Sequence, residues 1–138
     1  MTFKNLDTLM THIEKDMQKV LKNEVAETVK ENMKAAIDEN VYNAYTPEYY
    51  HRRMENGGLA DKDNMEATIS GNVLMVRDVA PLDNGRTDYE LDRIIVEGLG
   101  KQPFPRDFYG GTAERLEDNG DHIKAMKDGL RKRGYTVK

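Results

Sequence analysis

The sequence contains no cysteine and no tryptophan in its 138 residues. Without a thiol, the chain can form no disulfide, no cysteine-ligated zinc or iron site and no cysteine nucleophile. Its three histidines lie far apart in the chain, so a histidine-based metal site is not expected either. We therefore expect no metal and no cofactor.

The sequence also lacks a long apolar run. No stretch of about 18 consecutive apolar residues occurs, and the first residues contain no hydrophobic segment of the kind that a signal peptide carries. We therefore expect a soluble protein that makes no membrane contact and is produced in a cytoplasm.

Neither sign of charge dominates, because 21 lysine and arginine residues stand against 25 aspartate and glutamate residues. A formal net charge of −4 does not favour specific nucleic-acid recognition. The nucleophile elbow, the HExxH metal motif, the EF-hand loop and the Walker and Rossmann glycine patterns are all absent. We therefore expect an interaction protein and not an enzyme.

The most extended feature present is a helical stretch over residues 5–44. This stretch contains no glycine or proline, and its apolar residues mostly lie three or four positions apart, which predicts one amphipathic helix with Asn5 as its N-cap. At about 1.5 Å per residue such a helix would be about 55–60 Å long, longer than a compact domain of this size is wide. Part of it should therefore project, bend or pack on another chain. A coiled-coil pattern does not continue past Val25, because Glu24 and Thr28 interrupt it.

A β-hairpin is predicted over residues 64–79. Apolar and polar residues alternate from Met65, Gly71-Asn72 suits a tight turn, and an apolar strand follows. Because two strands alone are marginally stable, the long helix should cover their apolar face. A third strand could come from a short segment or from another subunit.

Two further helices complete the predicted fold. A capping-box pattern before residue 91 predicts a short helix over 88–97, although residues 94–96 could instead form a strand. A C-terminal helix is predicted over 112–133, with Thr112 as its N-cap and Gly120 as the point where it could break. One face of this helix carries Leu116, Ile123, Met126 and Leu130, and we expect Ile123, Met126 and Leu130 to be buried in the core. The whole chain, residues 1–138, is thus predicted to be one α+β domain, with a long N-terminal helix and a C-terminal helix packed on a small antiparallel sheet.

Aromatic residues concentrate in two segments. Four of the seven tyrosines lie within residues 42–50, just before an Arg-Arg pair. They either close the end of the long helix or form a contact patch, since tyrosine and arginine are common interface anchors. Residues 103–109 form an aromatic-proline segment that either holds the chain on the core or binds a ligand. The candidate interaction residues from the two segments are Tyr45, Pro47, Tyr49, Tyr50, Arg52, Arg53, Arg106 and Phe108.

Three short segments carry a family resemblance: Tyr-Thr-Pro-Glu-Tyr-Tyr-His-Arg-Arg at 45–53, Val-Glu-Gly at 96–98 and Pro-Phe-Pro-Arg-Asp-Phe at 103–108. With these segments and the order of its elements, the chain resembles the tail-completion (head–tail joining, or neck) proteins of long-tailed bacteriophages and prophages. Gly58-Leu59 fits the usual start of that family's sheet. The loop at 84–86 is longer and more acidic than the family pattern, which leaves the strand count open.

The resemblance implies a non-enzymatic protein of the virion, made in the bacterial host cytoplasm. It would form a six-fold ring of its own subunits at the head–tail junction, between the connector or stopper proteins and the tail proteins. Two alternatives remain: another phage structural protein, such as a tail terminator or a minor tail protein, or a non-viral adaptor that oligomerises through its long helix.

Overall fold

The computed structural model describes residues 4–39, 58–80, 91–97 and 107–137. It confirms the predicted α+β class, with helices packed on a two-stranded antiparallel sheet. The elements are α1 (Leu6–Val20), a π-helical turn (Leu21–Val25), α2 (Ala26–Ile37), a 3-10 turn (Lys62–Asn64), β1 (Met65–Ser70), β2 (Val73–Asp78), α3 (Leu91–Glu97), α4 (Phe108–Asn119) and α5 (Asp121–Lys132).

The long N-terminal helix runs without a break from Leu6 to Ile37. Asn5 caps it as expected, because its side-chain oxygen accepts the Thr8 N–H at 2.9 Å. At about 1.5 Å per residue this helix is about 48 Å long. Residues 40–44, which the prediction included, lie outside the described part of the chain. The π-helical turn contains Glu24, where the heptad pattern stops.

The hairpin forms with Gly71-Asn72 at its turn and pairs Met65 with Asp78 at its open end. Met65 is buried and Val76 packs against the core, whereas the side chains on the opposite face point to solvent. Residues 94–96 lie in α3 and not in a strand.

The core lies where α2, the hairpin and α4 meet. Seven residues with almost no exposed surface form it: Met33, Ile37, Leu59, Ala60, Met65, Ala80 and Phe108. Side chains from α3 and Tyr109 pack around this cluster. The long helix therefore supplies one wall of the core, as the sequence predicts.

The C-terminal helix begins earlier than predicted and consists of two helices. Asp107, and not Thr112, caps α4, since the Asp107 carboxylate accepts the Gly110 N–H at 2.9 Å. Thr112 instead lies inside the helix and donates its hydroxyl to the Phe108 carbonyl at 2.7 Å. Gly120 adopts a left-handed conformation with φ of 66°, which ends α4 and allows α5 to start in a new direction.

Helix α5 packs closely on the long helix through Gly129. A Cβ atom at this position would overlap the Val20 side chain, so the absence of a side chain permits the contact.

The prediction that Ile123 joins the buried face is wrong, because its side chain is 53% exposed. Ile123 precedes Gly129 by six positions, which places it about 240° around the helix and away from Val20. Met126 and Leu130 are half-buried.

Candidate interaction surface

The structure describes one of the eight candidate interaction residues, Phe108. Its side chain has 0% exposure and lies at the centre of the core, with its ring centroid 4.4 Å from that of Tyr109. This position agrees with the interpretation that the aromatic residue Phe108 is held on the core. A fully buried side chain cannot contact a partner while the core is intact. The other seven candidates, at positions 45–53 and 106, lie outside the described ranges.

Next to Phe108, the hydroxyl of Tyr109 joins three elements. It donates a hydrogen bond to the Asp92 carboxylate in α3 at 2.5 Å and accepts the backbone N–H of Asp78 in β2 at 3.0 Å. Arg77 Nε also donates to Asp92, at 3.1 Å, which compensates for the burial of that carboxylate. These contacts fix the end of the hairpin against α3 and α4. Burial raises the pKa of Tyr109, so its hydroxyl keeps its proton.

Asp78 is the most deeply buried charged residue in this cluster, with 1% exposure. Its Oδ1 accepts the Ala80 N–H at 3.0 Å, but its Oδ2 has no hydrogen-bond partner among the described residues. The pKa of Asp78 is raised to about 7, chiefly by burial; the hydrogen bond from the Ala80 N–H opposes this rise, and the negative charges of Asp92 and Asp61 add to it. This carboxyl therefore changes its protonation state near neutral pH.

A second polar cluster holds the α4–α5 junction on the long helix. Asn119 Nδ2 donates to Asn32 Oδ1 at 2.9 Å, and Asn32 Nδ2 donates to the Thr28 carbonyl at 2.9 Å. At the C-terminal end of α5, Arg133 Nη1 donates to Glu24 in the π-helical turn at 2.9 Å. Although burial opposes ionisation, the hydrogen bond and charge of Arg133 hold the pKa of Glu24 below its ordinary value. These contacts position α4 and α5 relative to the long helix.

Two apolar patches lie on the surface. The hairpin face, defined here as Val73, Met75 and Val79, has exposures of 64%, 62% and 46%. The first turns of α1 expose Leu6 and Met10 by 70% and 57%. Contiguous exposed apolar side chains of this kind are typical of interaction surfaces.

A shallow basic groove lies between α1 and the hairpin turn. Lys15, Lys19 and Lys22 line it together with Ile69 and Gly71, and its volume is about 380 Å³. These lysines make no ion pair with any carboxylate in the described part of the chain. The groove is therefore a local positive region on a protein whose net charge is negative.

Within the four described ranges, no group of three or more acidic or histidine side chains could hold a metal ion. In the same ranges, every helix is too short or too polar to cross a membrane.

These features define a small, helix-rich α+β protein that presents apolar side chains and a lysine-lined groove at its surface. The family model named YomN matches residues 5–132, so the chain belongs to the YomN family. That family name is associated with phages and prophages, which makes this a phage-related protein. No curated protein and no solved structure matches the chain.

Proposed function

We propose that this protein is a non-enzymatic virion assembly protein that joins the DNA-filled head of a long-tailed phage to its tail. It would act as one subunit of a six-fold ring, with the connector or stopper proteins on one side and the tail proteins on the other. It would be made in the host cytoplasm and become part of the virion. Neither a cofactor nor a catalytic step is needed for this role.

The observation that supports the proposal most directly is the amount of apolar surface on so small and charged a protein. Charged residues make up 33% of the chain, yet six large apolar side chains in the described ranges are at least 46% exposed. In an assembly, neighbouring subunits would cover such apolar surface and remove it from water. Membership of a phage-associated family and the resemblance of segments 45–53 and 103–108 to tail-completion proteins support the same role.

Electron microscopy of particles made after disruption of this gene in its phage or prophage tests the proposal. We expect filled heads and complete tails that accumulate separately, because the junction between them is missing. Normal infectious particles would overturn the proposal and favour an adaptor that acts through the exposed start of α1. Heads without DNA, or tails of abnormal length, would instead indicate another phage structural role.

A variant carrying Tyr49→Ala and Arg52→Ala tests the predicted contact segment. We expect it to reduce the count of joined particles while the purified protein keeps the wild-type circular dichroism spectrum, because tyrosine and arginine anchors contribute most to binding energy. Arg93→Ala is the matched control, since this side chain is 65% exposed and pairs within α3 with Glu97. A double variant that no longer folds would assign the segment a structural role.

A further inference from the structure

One edge of strand β2 has backbone groups that no other described residue pairs with. The Val79 N–H donates to the Asn64 carbonyl at 2.7 Å, so Val79 and Asn64 form a hydrogen-bonded pair at the end of the ladder. Hydrogen-bonded pairs alternate along an antiparallel ladder, so Val73, Met75 and Arg77 also exchange hydrogen bonds with β1. The N–H and C=O groups of the residues between them point away from β1. The Asp78 N–H is already donated to the Tyr109 hydroxyl. Within the described ranges, the unpaired edge therefore consists of Leu74 and Val76.

The free part of this edge lacks three of the features that usually keep strand edges apart. The sequence from 73 to 76 is Val-Leu-Met-Val, which contains no charge and no proline, and the ladder contains no bulge. Proteins that remain monomeric commonly place such features on an open strand edge. Val73 and Met75, on the hairpin face beside the edge, are more than 60% exposed.

We propose that the β2 edge pairs with the β2 edge of a second copy of this chain in an antiparallel, two-fold arrangement. Leu74 then lies opposite Val76 of the second copy, and the reverse pair is identical by symmetry. This register uses the N–H and C=O of both residues in both copies, giving four hydrogen bonds and a four-stranded sheet. In the register shifted by two residues in one direction, Leu74 would lie opposite Asp78 of the second copy, whose N–H is already donated to Tyr109. In the register shifted the other way, Val76 would lie opposite Asn72, which belongs to the turn.

The edge suits a second copy better than a strand of another protein. Only two residues are free, so a longer foreign strand would leave its own groups unpaired beyond Asp78. In the two-fold register Met75 lies opposite Met75 of the second copy, and an apolar pair of this kind removes surface from water in both chains. A two-fold contact joins copies in pairs and does not generate a ring. The inference therefore goes beyond the proposed function and concerns the protein in solution.

Because the chain has no cysteine, a single Met75→Cys substitution tests the register directly. Directly opposed residues that are not hydrogen-bonded to each other lie about 4.5 Å apart at Cα. This separation lies within the range that a disulfide spans. We expect mild oxidation of a dilute solution of the Met75→Cys variant to give a covalent dimer. This cross-linking should be faster than cross-linking by random collision of monomers.

Thr68→Cys is the matched control. Thr68 lies opposite Met75 on the same exposed face but on β1. In the four-stranded sheet it would be three strand spacings, about 14 Å, from its counterpart. It should therefore form little dimer. Equal cross-linking of the two variants, or none in Met75→Cys while its hairpin remains folded by circular dichroism, would overturn the proposal.

Met75→Lys supplies a second measurement. It places two like charges opposite each other in the dimer but leaves the monomer nearly unaffected, since the Met75 side chain is 62% exposed. We expect sedimentation to show a dimer for the wild type at high protein concentration and a monomer for the variant. A monomeric wild type, or an unchanged dimer in the variant, would contradict the β2 contact. The head–tail proposal is tested separately, by particle morphology after gene disruption.

Discussion

At the scale of single residues, Asp78 combines deep burial with an incomplete set of hydrogen bonds. One of its carboxylate oxygens accepts the Ala80 N–H, and the other has no partner in the part of the chain that the structure describes, so the ionised form is poorly compensated. The residue ends β2 beside Tyr109 and Asp92, where three elements meet. Its proton therefore affects the stability of the junction between the hairpin and the helices.

We predict that the free energy of unfolding decreases as the pH rises from about 4 to about 7. In this range the folded state keeps a proton on Asp78, whose pKa is raised to about 7, while the unfolded state, with a pKa near 3.8, has lost it. The contribution is present in full below the lower pKa and is lost above the higher one. Asp78→Asn should reduce this decrease and be the more stable protein at pH 8, by about 1–3 kcal/mol.

Chemical denaturation of both proteins at pH 5 and pH 8 measures the effect. The asparagine retains an oxygen for the Ala80 N–H, so the local turn should persist. Asp63→Asn, in the exposed 3-10 turn, is the control for the loss of one carboxylate at the surface. If Asp78→Asn keeps the wild-type slope, the buried carboxyl is not its source.

The sequence indicates part of this cluster but not its partners. Strand alternation places Asp78 on the inward face with Leu74 and Val76, which is an unusual position for a carboxylate. That pattern could have identified the residue from the sequence. Its contact with Tyr109 joins residues 31 positions apart and depends on how α4 packs, which no local pattern records.

At the scale of elements, the contact between α5 and the long helix depends on the missing side chain at Gly129. We predict that Gly129→Ala destabilises the protein by about 1–3 kcal/mol, although alanine favours helix formation, because its Cβ would overlap Val20. Thermal unfolding followed by circular dichroism measures this loss. Combining it with Val20→Ala removes the overlapping methyl groups, so the double variant should lose less than the sum of the single losses. Strict additivity would show that the two positions do not contact each other.

The elements themselves were largely predictable, and their ends were less so. Periodicity identified the long helix and alternation identified the hairpin, because both patterns are local and strong. The sequence predicts a helix start at Thr112, four residues after the observed start of α4, because Gly110-Gly111 is typical of a loop. In the structure both glycines lie in the first turn of α4, next to the buried Phe108. The spacing of Ile123, Met126 and Leu130 predicts one apolar face, but α5 packs on the long helix through the face that contains Gly129.

At the scale of the whole molecule, the long helix packs against elements that lie far apart in the sequence. Its α2 part packs against α4, and its α1 part and the π-helical turn pack against α5. The hairpin contacts it near the middle. The class of fold follows from this arrangement, and the sequence predicts it. The interaction surface does not follow in the same way, because exposure of Val73 and Met75 depends on which face of a two-stranded sheet the helices cover.

The π-helical turn also bears on how this chain can change in length. A π-helical turn holds one residue more than the α-helical turn it replaces, so the surplus residue is accommodated locally and the helix on either side keeps its direction. We predict that deletion of Asn23, which is exposed in this turn, leaves Met33 and Ile37 facing the core. Deletion of Lys30 should rotate the rest of α2 by about 100° and turn these residues away from it. Thermal unfolding of the two deletion variants would separate them, and equal losses would contradict the prediction. Insertions and deletions in homologous chains should then be tolerated at this turn more readily than elsewhere in the helix.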